Sequence, residues 1–412
     1  MPDHGDVDQA QTLQTLLLIT AAAVAAPFAV DRLARWIIIP TIVLELVFGV
    51  LIGPAVLDWA REDVVISALS SLGLAVLMFM AGYEIDFAGL RGGPARLAGI
   101  GWICSVVIAL GLVALYSGTT YKTVVIALAL TTTALGTLLP ILRDRGLLGS
   151  RFGNRVMAVG AMGEFLPIVA VSVVLTTDAP LHALLLLLLF AVVAVVAAAL
   201  ATRPPSRRMT LLINRTMRTS AQLGIRMILL VIVFMVWIAA TFELDTLLGS
   251  FAAGIVVKLA LRAAPERIVE PVESKLDAIG FGFLIPIFFV VSGINLNLDA
   301  LSSARGLLMT VIFLLGLLVV RGLPVLVLHR RDLPVLADRG ALALFAASAL
   351  PLIVVITTIG TDEGVLTTPV DAALVAAGAL SVLLYPQIAL RLHRPVEPAS
   401  PASSRSAEPE AL

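Results

Sequence analysis

The segment VVIALALTTTALGTLLPIL (residues 124–142) carries three consecutive threonines at the centre of an apolar run. Pro140 follows the threonines in the same segment. Proline removes a backbone donor, so hydroxyl groups and a proline inside an apolar helix favour a helix that is interrupted within a membrane. Thr131, Thr132 and Thr133 are therefore candidate ion-binding residues, because freed carbonyls and half-helix ends can meet an ion there.

A second apolar segment, ALALFAASALPLIVVITTIG (341–360), is interrupted in a similar way. Ser348 and Pro351 lie at its centre. Either interruption alone is compatible with a harmless kink, because glycine and proline are common in transmembrane helices. Two interrupted segments in corresponding positions of two halves instead predict a secondary transporter with its binding site between the halves.

The composition is that of a membrane protein. The chain has 412 residues, of which 59% are hydrophobic and 14% are charged, whereas soluble domains average about 45–50% and about 25%. The 28 basic and 28 acidic residues cancel, which argues against a basic surface for nucleic acid. The single cysteine excludes a disulfide framework, and the four scattered histidines form no metal-binding motif.

Thirteen apolar runs are long enough to cross a bilayer, which takes about 20 residues as a helix. Lysine and arginine collect in cytoplasmic loops, and here only Arg61, Lys122 and Arg305 lie in the loops predicted to be outside. This alternation predicts an all-α polytopic membrane protein with its N-terminus outside and its C-terminus in the cytoplasm. The predicted spans are 12–30, 36–57, 64–83, 97–117, 122–142, 153–177, 180–202, 221–241, 245–262, 276–294, 305–328, 340–360 and 366–390.

The thirteen spans contain two sets of five with opposite orientation, spans 2–6 and 9–13, and the fourth span of each set is interrupted. The first span of each set has a similar small-residue pattern, LVFGVLIGP (46–54) and LLGSFAAGI (247–255). This arrangement predicts two inverted five-helix repeats. The predicted organisation is an N-terminal segment with the first span (1–35), repeat 1 (36–177) with a broken helix (122–142) and a site helix (153–177), linking spans with a basic cytoplasmic loop (178–244), repeat 2 (245–391) with a broken helix (340–360), and a disordered tail (392–412).

Glu45 and Glu164 are the acidic residues that lie well inside predicted spans. An ionisable group inside a bilayer is costly and is a functional candidate by default. Glu164 lies in GAMGEFLPIVAVS (160–172), where Gly163 permits close backbone approach. A carboxylate there can be a neutral acid or an anion beside a bound cation, so a proton and a cation would compete for the same oxygens.

Arg321 also lies deep in a predicted span. The residues leave two interpretations of Glu164 open: a site of exchange, or a carboxylate permanently bridged to Arg321 that only locks two helices. For Glu45, a hydrogen bond to neighbouring backbone is a simpler interpretation than a role in exchange. Glu84 and Asp86 lie at a predicted cytoplasmic helix end and are interpreted as interfacial, near an entrance.

Five segments, in order along residues 36–390, resemble the monovalent cation:proton antiporters. The resemblance is to the branch that contains the potassium-efflux and bacterial sodium/proton antiporters. It implies about 13 transmembrane helices, inverted repeats with crossed discontinuous helices, and a homodimer in which a core bundle moves against a scaffold bundle. The matching segments are VFGVLIGP (47–54), LGLAVLMFMAGYEIDFAGLR (72–91), TTTALGTLLPILRDRGLLGSRFG (131–153), LLGSFAAGIVV (247–257) and FLIPIFFVVSGINLNL (283–298).

The resemblance also implies roles for individual residues. Glu164 falls where the family has its ion- and proton-binding aspartate, and Arg321 falls where relatives place a basic residue that pairs with the site carboxylate. The three threonines fall on the first broken helix, and Ser348 falls near the break of the second. Relatives commonly have Asp-Asp, Asn-Asp or Gln-Asp where this chain has Gly163-Glu164. The tail does not resemble the nucleotide-binding regulatory domain of the potassium effluxers.

The expected function is exchange of Na⁺ or K⁺ for protons by alternating access in the cell inner membrane, with a role in pH homeostasis. A single carboxylate predicts about one proton per cation and therefore electroneutral exchange. We expect no enzyme, cofactor or nucleic-acid partner, because no nucleophile–base pair, metal cluster or phosphate-binding loop stands out. Two alternatives remain: a proton-coupled organic-anion transporter with Arg321 as counter-ion, and a non-transporting membrane sensor.

Overall fold

The computed structural model describes most of the 412 residues. The residues outside the description are 1–3, 34–38, 85–92, 119, 176–179, 203–206, 217–218, 220, 243, 245 and 394–412. Asp86 and all but the first two residues of the predicted disordered tail therefore lie outside the described residues.

Every regular element of the described residues is helical. The helices are α1 (His4–Leu33), α2 (Thr41–Ile52), α3 (Val64–Glu84), α4 (Gly93–Ser117), α5 (Tyr121–Leu130), α6 (Leu135–Asp144), α7 (Arg151–Leu175), α8 (Pro180–Ala201), α9 (Arg207–Thr216), α10 (Leu223–Thr241), α11 (Thr246–Arg262), α12 (Glu266–Ile279), α13 (Ile285–Ile294), α14 (Leu298–Ser302), α15 (Ala304–Leu317), α16 (Leu323–Leu328), α17 (Leu336–Ala346), α18 (Pro351–Asp362) and α19 (Thr368–Leu392). Single π-helical turns, Gly280–Leu284 and Leu318–Gly322, join α12 to α13 and α15 to α16.

Ten helical stretches of the described residues are long and apolar enough to cross a bilayer. Two shorter apolar helices, Thr41–Ile52 and Leu185–Ala201, accompany them. Large apolar side chains such as Leu115 and Val195 are exposed, which a bilayer accommodates and water does not. The chain is an all-α multi-pass membrane protein, as the sequence predicted, while the count of thirteen spans stays a prediction.

Both interrupted segments are discontinuous helices, as predicted. The first break lies between Leu130, the last residue of α5, and Leu135, the first residue of α6. The second lies between Ala346, the end of α17, and Pro351, the first residue of α18. Proline suits that position because the first residues of a helix need no amide donor.

The two breaks contact each other directly. The backbone N–H of Ala134 donates to the carbonyl of Ser348 over 2.8 Å. The hydroxyl of Thr133 donates to the carbonyl of Ala346 over 2.5 Å. Each break therefore supplies hydrogen-bond partners for groups that the other break frees, which satisfies the requirement that backbone polar groups inside a membrane be paired.

Two other helix pairs approach each other at backbone distance, away from the breaks. A Cβ added to Gly82 of α3 would lie 2.0 Å from the carbonyl oxygen of Phe251 in α11. A Cβ added to Gly49 of α2 would lie 2.0 Å from the carbonyl oxygen of Val290 in α13. Glycine is therefore required at both crossings, in the manner of small-residue contacts between membrane helices.

Candidate ion-binding site

Glu164 lies on α7 beside the first break. Its side chain is buried, with 4% of its surface exposed. The backbone N–H of Leu135, the first residue of α6, lies close enough to interact electrostatically with the carboxylate of Glu164. The first amides of a helix have no partner within the helix and form its positive end. Oε2 of Glu164 has no hydrogen-bond partner among the described residues, so it is available to a proton or a cation.

The three predicted threonines differ in what their hydroxyls contact. Thr131 Oγ1 donates to the carbonyl of Leu128, and Thr132 Oγ1 donates to the carbonyl of Ala129, each over 2.8 Å. These two hydroxyls therefore satisfy the last turn of α5. Thr133 contacts the second break through its hydroxyl, as described above, and its N–H donates to the carbonyl of Gly163 over 2.9 Å.

Ser348 contributes its backbone and not its hydroxyl to the crossing. Its carbonyl accepts the N–H of Ala134, whereas its hydroxyl donates to the carbonyl of Leu344 in the preceding helix, α17, over 3.0 Å. The structure thus places Ser348 in the second break, where the sequence predicted that break, and its carbonyl rather than its hydroxyl contacts the first break.

Arg321 lies in the π-helical turn between α15 and α16 and is buried, with 2% exposed. Nε donates to Thr133 Oγ1 over 3.0 Å, one terminal nitrogen donates to the carbonyl of Val159 over 3.2 Å, and the other lies 3.5 Å from Ser105 Oγ. No ion pair joins Arg321 to Glu164 among the described residues. In this conformation the guanidinium is therefore held by neutral acceptors, and the bridge that the sequence left open is not formed.

Gly163 makes this arrangement possible. A Cβ at this position would lie 2.4 Å from a terminal nitrogen of Arg321 and 2.5 Å from Thr133 Oγ1. The guanidinium and the threonine hydroxyl thus occupy the space that a side chain at position 163 would need. The glycine before the site glutamate is explained by this contact.

Glu84 also lies near the N-terminal end of α6, the end that is close to Glu164. Its interpretation as an interfacial residue did not predict this position. A Cβ on Gly136, the second residue of α6, would lie 3.4 Å from Glu84 Oε2. This oxygen is buried and has no hydrogen-bond partner in the described part of the chain. The charges of Glu84 and Glu164 are close enough to repel each other. The one sequence signal was an acid at the end of an apolar span.

Glu45 lies elsewhere. It is buried on α2, with 4% exposed, and α2 packs against α1 and α13. Its Oε2 has no hydrogen-bond partner among the described residues, so the backbone hydrogen bond favoured by the sequence is not seen for this oxygen. No described hydrogen bond links Glu45 to the broken helices or to α7.

Apolar clusters lie on both sides of Glu164 along α7. Toward the C-terminal end of α7, Ile168 belongs to one buried apolar cluster with Met78 of α3 and Leu352 of α18. Toward the N-terminal end, Val156 and Val159 belong to a second buried apolar cluster with Leu138 of α6. Glu164 is therefore enclosed by apolar side chains along α7, and the further acidic group near the start of α6 is Glu84, beside Gly136.

Comparison with known proteins gives the family. Residues 19–389 match the model of the transmembrane sodium/hydrogen exchanger family. The chain belongs to this family. Sodium/hydrogen exchangers are secondary transporters and not enzymes, which confirms both the resemblance and the expectation from the sequence.

Several relatives of the exchanger family are similar over much of the chain. The putative Na⁺/H⁺ antiporter YjbQ of Bacillus subtilis is 26% identical over 405 residues, which is 93% of this chain and 63% of the relative. The Na⁺/H⁺ antiporter of Enterococcus hirae is 23% identical over 292 residues, 66% of this chain and 71% of the relative. The chain therefore spans less than two thirds of the length of the Bacillus subtilis protein.

A solved sodium/hydrogen exchanger has the same fold. The sodium proton antiporter MjNhaP1 of Methanocaldococcus jannaschii superposes with a TM-score of 0.69 and 18% identity, covering 93% of this chain and 99% of that one. At this identity the likeness concerns the fold alone.

Proposed function

We propose that this protein exchanges a monovalent cation, Na⁺ or K⁺, for protons by alternating access, with Glu164 as the shared site. The observation that carries the proposal is a buried carboxylate at the crossing of two broken helices, with one oxygen unpartnered and no fixed counter-ion among the described residues. Relatives named as Na⁺/H⁺ antiporters and a yeast relative named as a K⁺/H⁺ antiporter support the same substrates.

The chemistry follows from the cost of a lone charge in a membrane. Without a cation, Glu164 takes a proton and is neutral. With a cation, the carboxylate is ionised and binds the ion together with backbone carbonyls of the first break, since unwound carbonyls and half-helix ends are the usual cation ligands in such transporters. Because the two occupants share the same oxygens, binding of one releases the other, which is the requirement for exchange.

Arg321 keeps a constant charge in this scheme. Its guanidinium is bound to Thr133, Val159 and Ser105, and these contacts do not require Glu164 to be ionised. Glu164 is then the group that changes its occupant, one proton for one monovalent cation. The two loaded forms carry the same charge, so the exchange is electroneutral.

The apolar cluster around Ile168 encloses the site toward the C-terminal end of α7. In the proposed orientation the N-terminus of the protein is outside, its C-terminus is in the cytoplasm, and the C-terminal end of α7 faces the outside of the inner membrane. The apolar cluster then closes the site to the outside. Transport requires the core bundle (α5–α7 and α15–α18) to move against the scaffold bundle (α2, α3, α10–α13) in a homodimer.

The decisive experiment is a pH-gradient dequenching assay in proteoliposomes, with Na⁺, K⁺ and Li⁺ added in turn. Glu164→Gln removes the titratable oxygen and is expected to abolish cation-dependent proton release. Glu45→Gln is the matched control, because it neutralises a carboxyl that is equally buried on α2, and it should retain exchange. Exchange by Glu164→Gln, or its loss in Glu45→Gln alone, would move the site.

The organic-anion alternative requires a cation that is free to bind a substrate carboxylate. Arg321, the candidate counter-ion, is fully buried and already occupied by three acceptors. The structure thus favours cation exchange over anion transport. A non-transporting sensor is tested by the same assay, since it predicts no proton release with any cation.

A further inference from the structure

The second break is held by a hydroxyl from α19 that the site chemistry does not use. Ser381 is fully buried, and its Oγ accepts the backbone N–H of Ala349 over 3.0 Å. The same oxygen lies 2.7 Å from the carbonyl of Gly378 and 3.1 Å from that of Ala349, so its proton can be donated to either. A Cβ on Gly378 would lie 2.7 Å from the Ala349 carbonyl oxygen. The backbone of α19 thus lies directly against the break.

The amide of Ala349 needs this partner. It lies between α17 and α18, where neither half-helix supplies an acceptor, and an unpaired N–H inside a membrane is costly. Among the described residues, Ser381 is the side chain that accepts it. The neighbouring amide of Ser348 is satisfied locally by the carbonyl of Phe345 over 3.2 Å.

The two breaks are supported in parallel ways but by different chemistry. The first break donates an N–H, that of Thr133, to the carbonyl of Gly163 on the helix that follows it, next to Glu164. The second break donates an N–H, that of Ala349, to Ser381 on the helix that follows it. The first contact lies beside a carboxyl that can change its charge, whereas the second is made by a hydroxyl whose charge is constant. One break can therefore respond to an ion while the other stays fixed.

We propose that Ser381 is a positioning residue for cation binding, which fixes the second break so that it holds the first break in place against Glu164. The connection runs through three hydrogen bonds. The hydroxyl of Ser381 accepts the N–H of Ala349, the adjacent Ser348 carbonyl accepts the N–H of Ala134, and the N–H of the adjacent Thr133 donates to the carbonyl of Gly163, the residue before Glu164. This inference rests on the proposed function, because it assigns Ser381 to the cation step of that exchange.

A distinct kinetic signature follows. In Ser381→Ala, the amide of Ala349 loses its acceptor and the second break relaxes, so the carbonyls of the first break no longer converge on the cation. The Glu164 carboxyl itself is unchanged and still takes up a proton. We expect the KM for the cation to rise about fivefold or more, as befits an unpaired buried donor, while the maximal rate changes less than about twofold.

The test compares variants of the full-length protein in proteoliposomes, with KM and maximal rate measured for each cation. Ser292→Ala is the matched control, because Ser292 is a hydroxyl on α13 that donates to the carbonyl of Phe288 in its own helix. Ser381→Thr keeps the hydroxyl and is expected to return the KM toward the wild-type value. Ser381→Cys keeps the size but offers a weak acceptor, and is expected to raise the KM.

An unchanged KM in Ser381→Ala, or equal changes in Ser381→Ala and Ser292→Ala, overturns the inference. If Ser381→Ala does not fold, as judged by size-exclusion chromatography in detergent, Ser381→Cys replaces it and a wild-type KM in that variant overturns the inference. Wild-type protein that fails to exchange any cation overturns the proposed function and this inference together. Exchange by the wild type with an insensitive Ser381 overturns only the inference.

Discussion

The guanidinium of Arg321 donates from Nε to the hydroxyl of Thr133 over 3.0 Å, and the two residues are 188 positions apart in the chain. The same hydroxyl donates to the carbonyl of Ala346 in the second break. The guanidinium of Arg321 thereby lies at the crossing of the two broken helices, against Gly163, the residue that precedes Glu164. The consequences of this contact can be tested individually.

Replacing Arg321 by lysine should destabilise the protein. Lysine keeps the charge but not the planar set of donors, so it cannot satisfy Thr133, Val159 and Ser105 together. Leaving a buried acceptor unpaired costs about 1–3 kcal/mol, and we expect a lower midpoint of thermal unfolding in detergent. Arg305→Lys is the control, because Arg305 is exposed at the start of α15. Equal midpoints for the two variants would contradict the assignment.

Placing a side chain at Gly163 should displace the guanidinium. In Gly163→Ala the new Cβ would lie 2.4 Å from Arg321 and 2.5 Å from Thr133 Oγ1, and forced overpacking typically costs about 1–3 kcal/mol. We expect a lower unfolding midpoint and a lower exchange rate. Gly111→Ala is the control, because Gly111 lies within α4 with no atom within 4 Å of its Cβ position. Wild-type stability and exchange in Gly163→Ala would show that this space is not filled.

A membrane potential alone should not change the rate of exchange. If Glu164 alone exchanges one proton for one monovalent cation, both loaded forms carry the same charge and the potential does no net work on the cycle. The measurement imposes a diffusion potential of the permeant anion thiocyanate, with no potassium gradient, on proteoliposomes that exchange Na⁺ for protons. A clear acceleration or slowing would require a second titrating group, and Glu84 would be the first to test because it lies beside Gly136.

His329 should make stability fall in acid. It lies just beyond α16 and is 1% exposed, and burial lowers its pKa. The unfolded chain titrates near pH 6.5, so below that pH the unfolded state binds a proton that the folded state resists. The stability associated with a neutral His329 is therefore complete above about pH 6.5 and is lost as the pH falls toward the lowered folded pKa.

The check on His329 is the unfolding midpoint in detergent measured at about pH 7.5 and about pH 5.5, on either side of the reference value. From the higher to the lower pH, the unfolding midpoint of the wild type should fall by more than that of His329→Gln, because glutamine has no group to protonate at this position. His393→Gln is a control histidine variant at the end of α19. Parallel losses in the wild type and His329→Gln would refute a buried neutral histidine.

Much of the architecture was predictable because its signals are local in the sequence. A run of hydroxyl residues or a proline inside an apolar segment predicts a broken helix, whatever the segment packs against. Both breaks occur where the sequence predicted them, at TTT (131–133) and at Ser348-Ala-Leu-Pro351. Likewise, a lone acid in an apolar helix must be buried or paired, and Glu164 is buried at the first break.

The contacts of the site were less predictable because they join distant parts of the chain. The predicted partner of Arg321 was Glu164, whereas the guanidinium is held by Thr133, Val159 and Ser105. Arg321 lies in a π-helical turn, and such a turn changes the side of the helix to which a side chain points. This turn has no clear signal in the sequence. Ser381 was missed for a related reason, since a single serine in an apolar helix looks the same whether it bonds its own turn or a neighbouring break.

The amino-acid sequence by itself determined that this chain is an all-α membrane protein, that two of its helices are broken, and that Glu164 is buried among them, because hydrophobicity, proline and lone charges act over one or two helical turns. Only the tertiary structure decided which backbone amide meets Glu164, which acceptors hold Arg321 and which hydroxyl supports the second break. Those choices depend on the rotation and crossing of helices more than a hundred residues apart, and short-range patterns do not encode such angles.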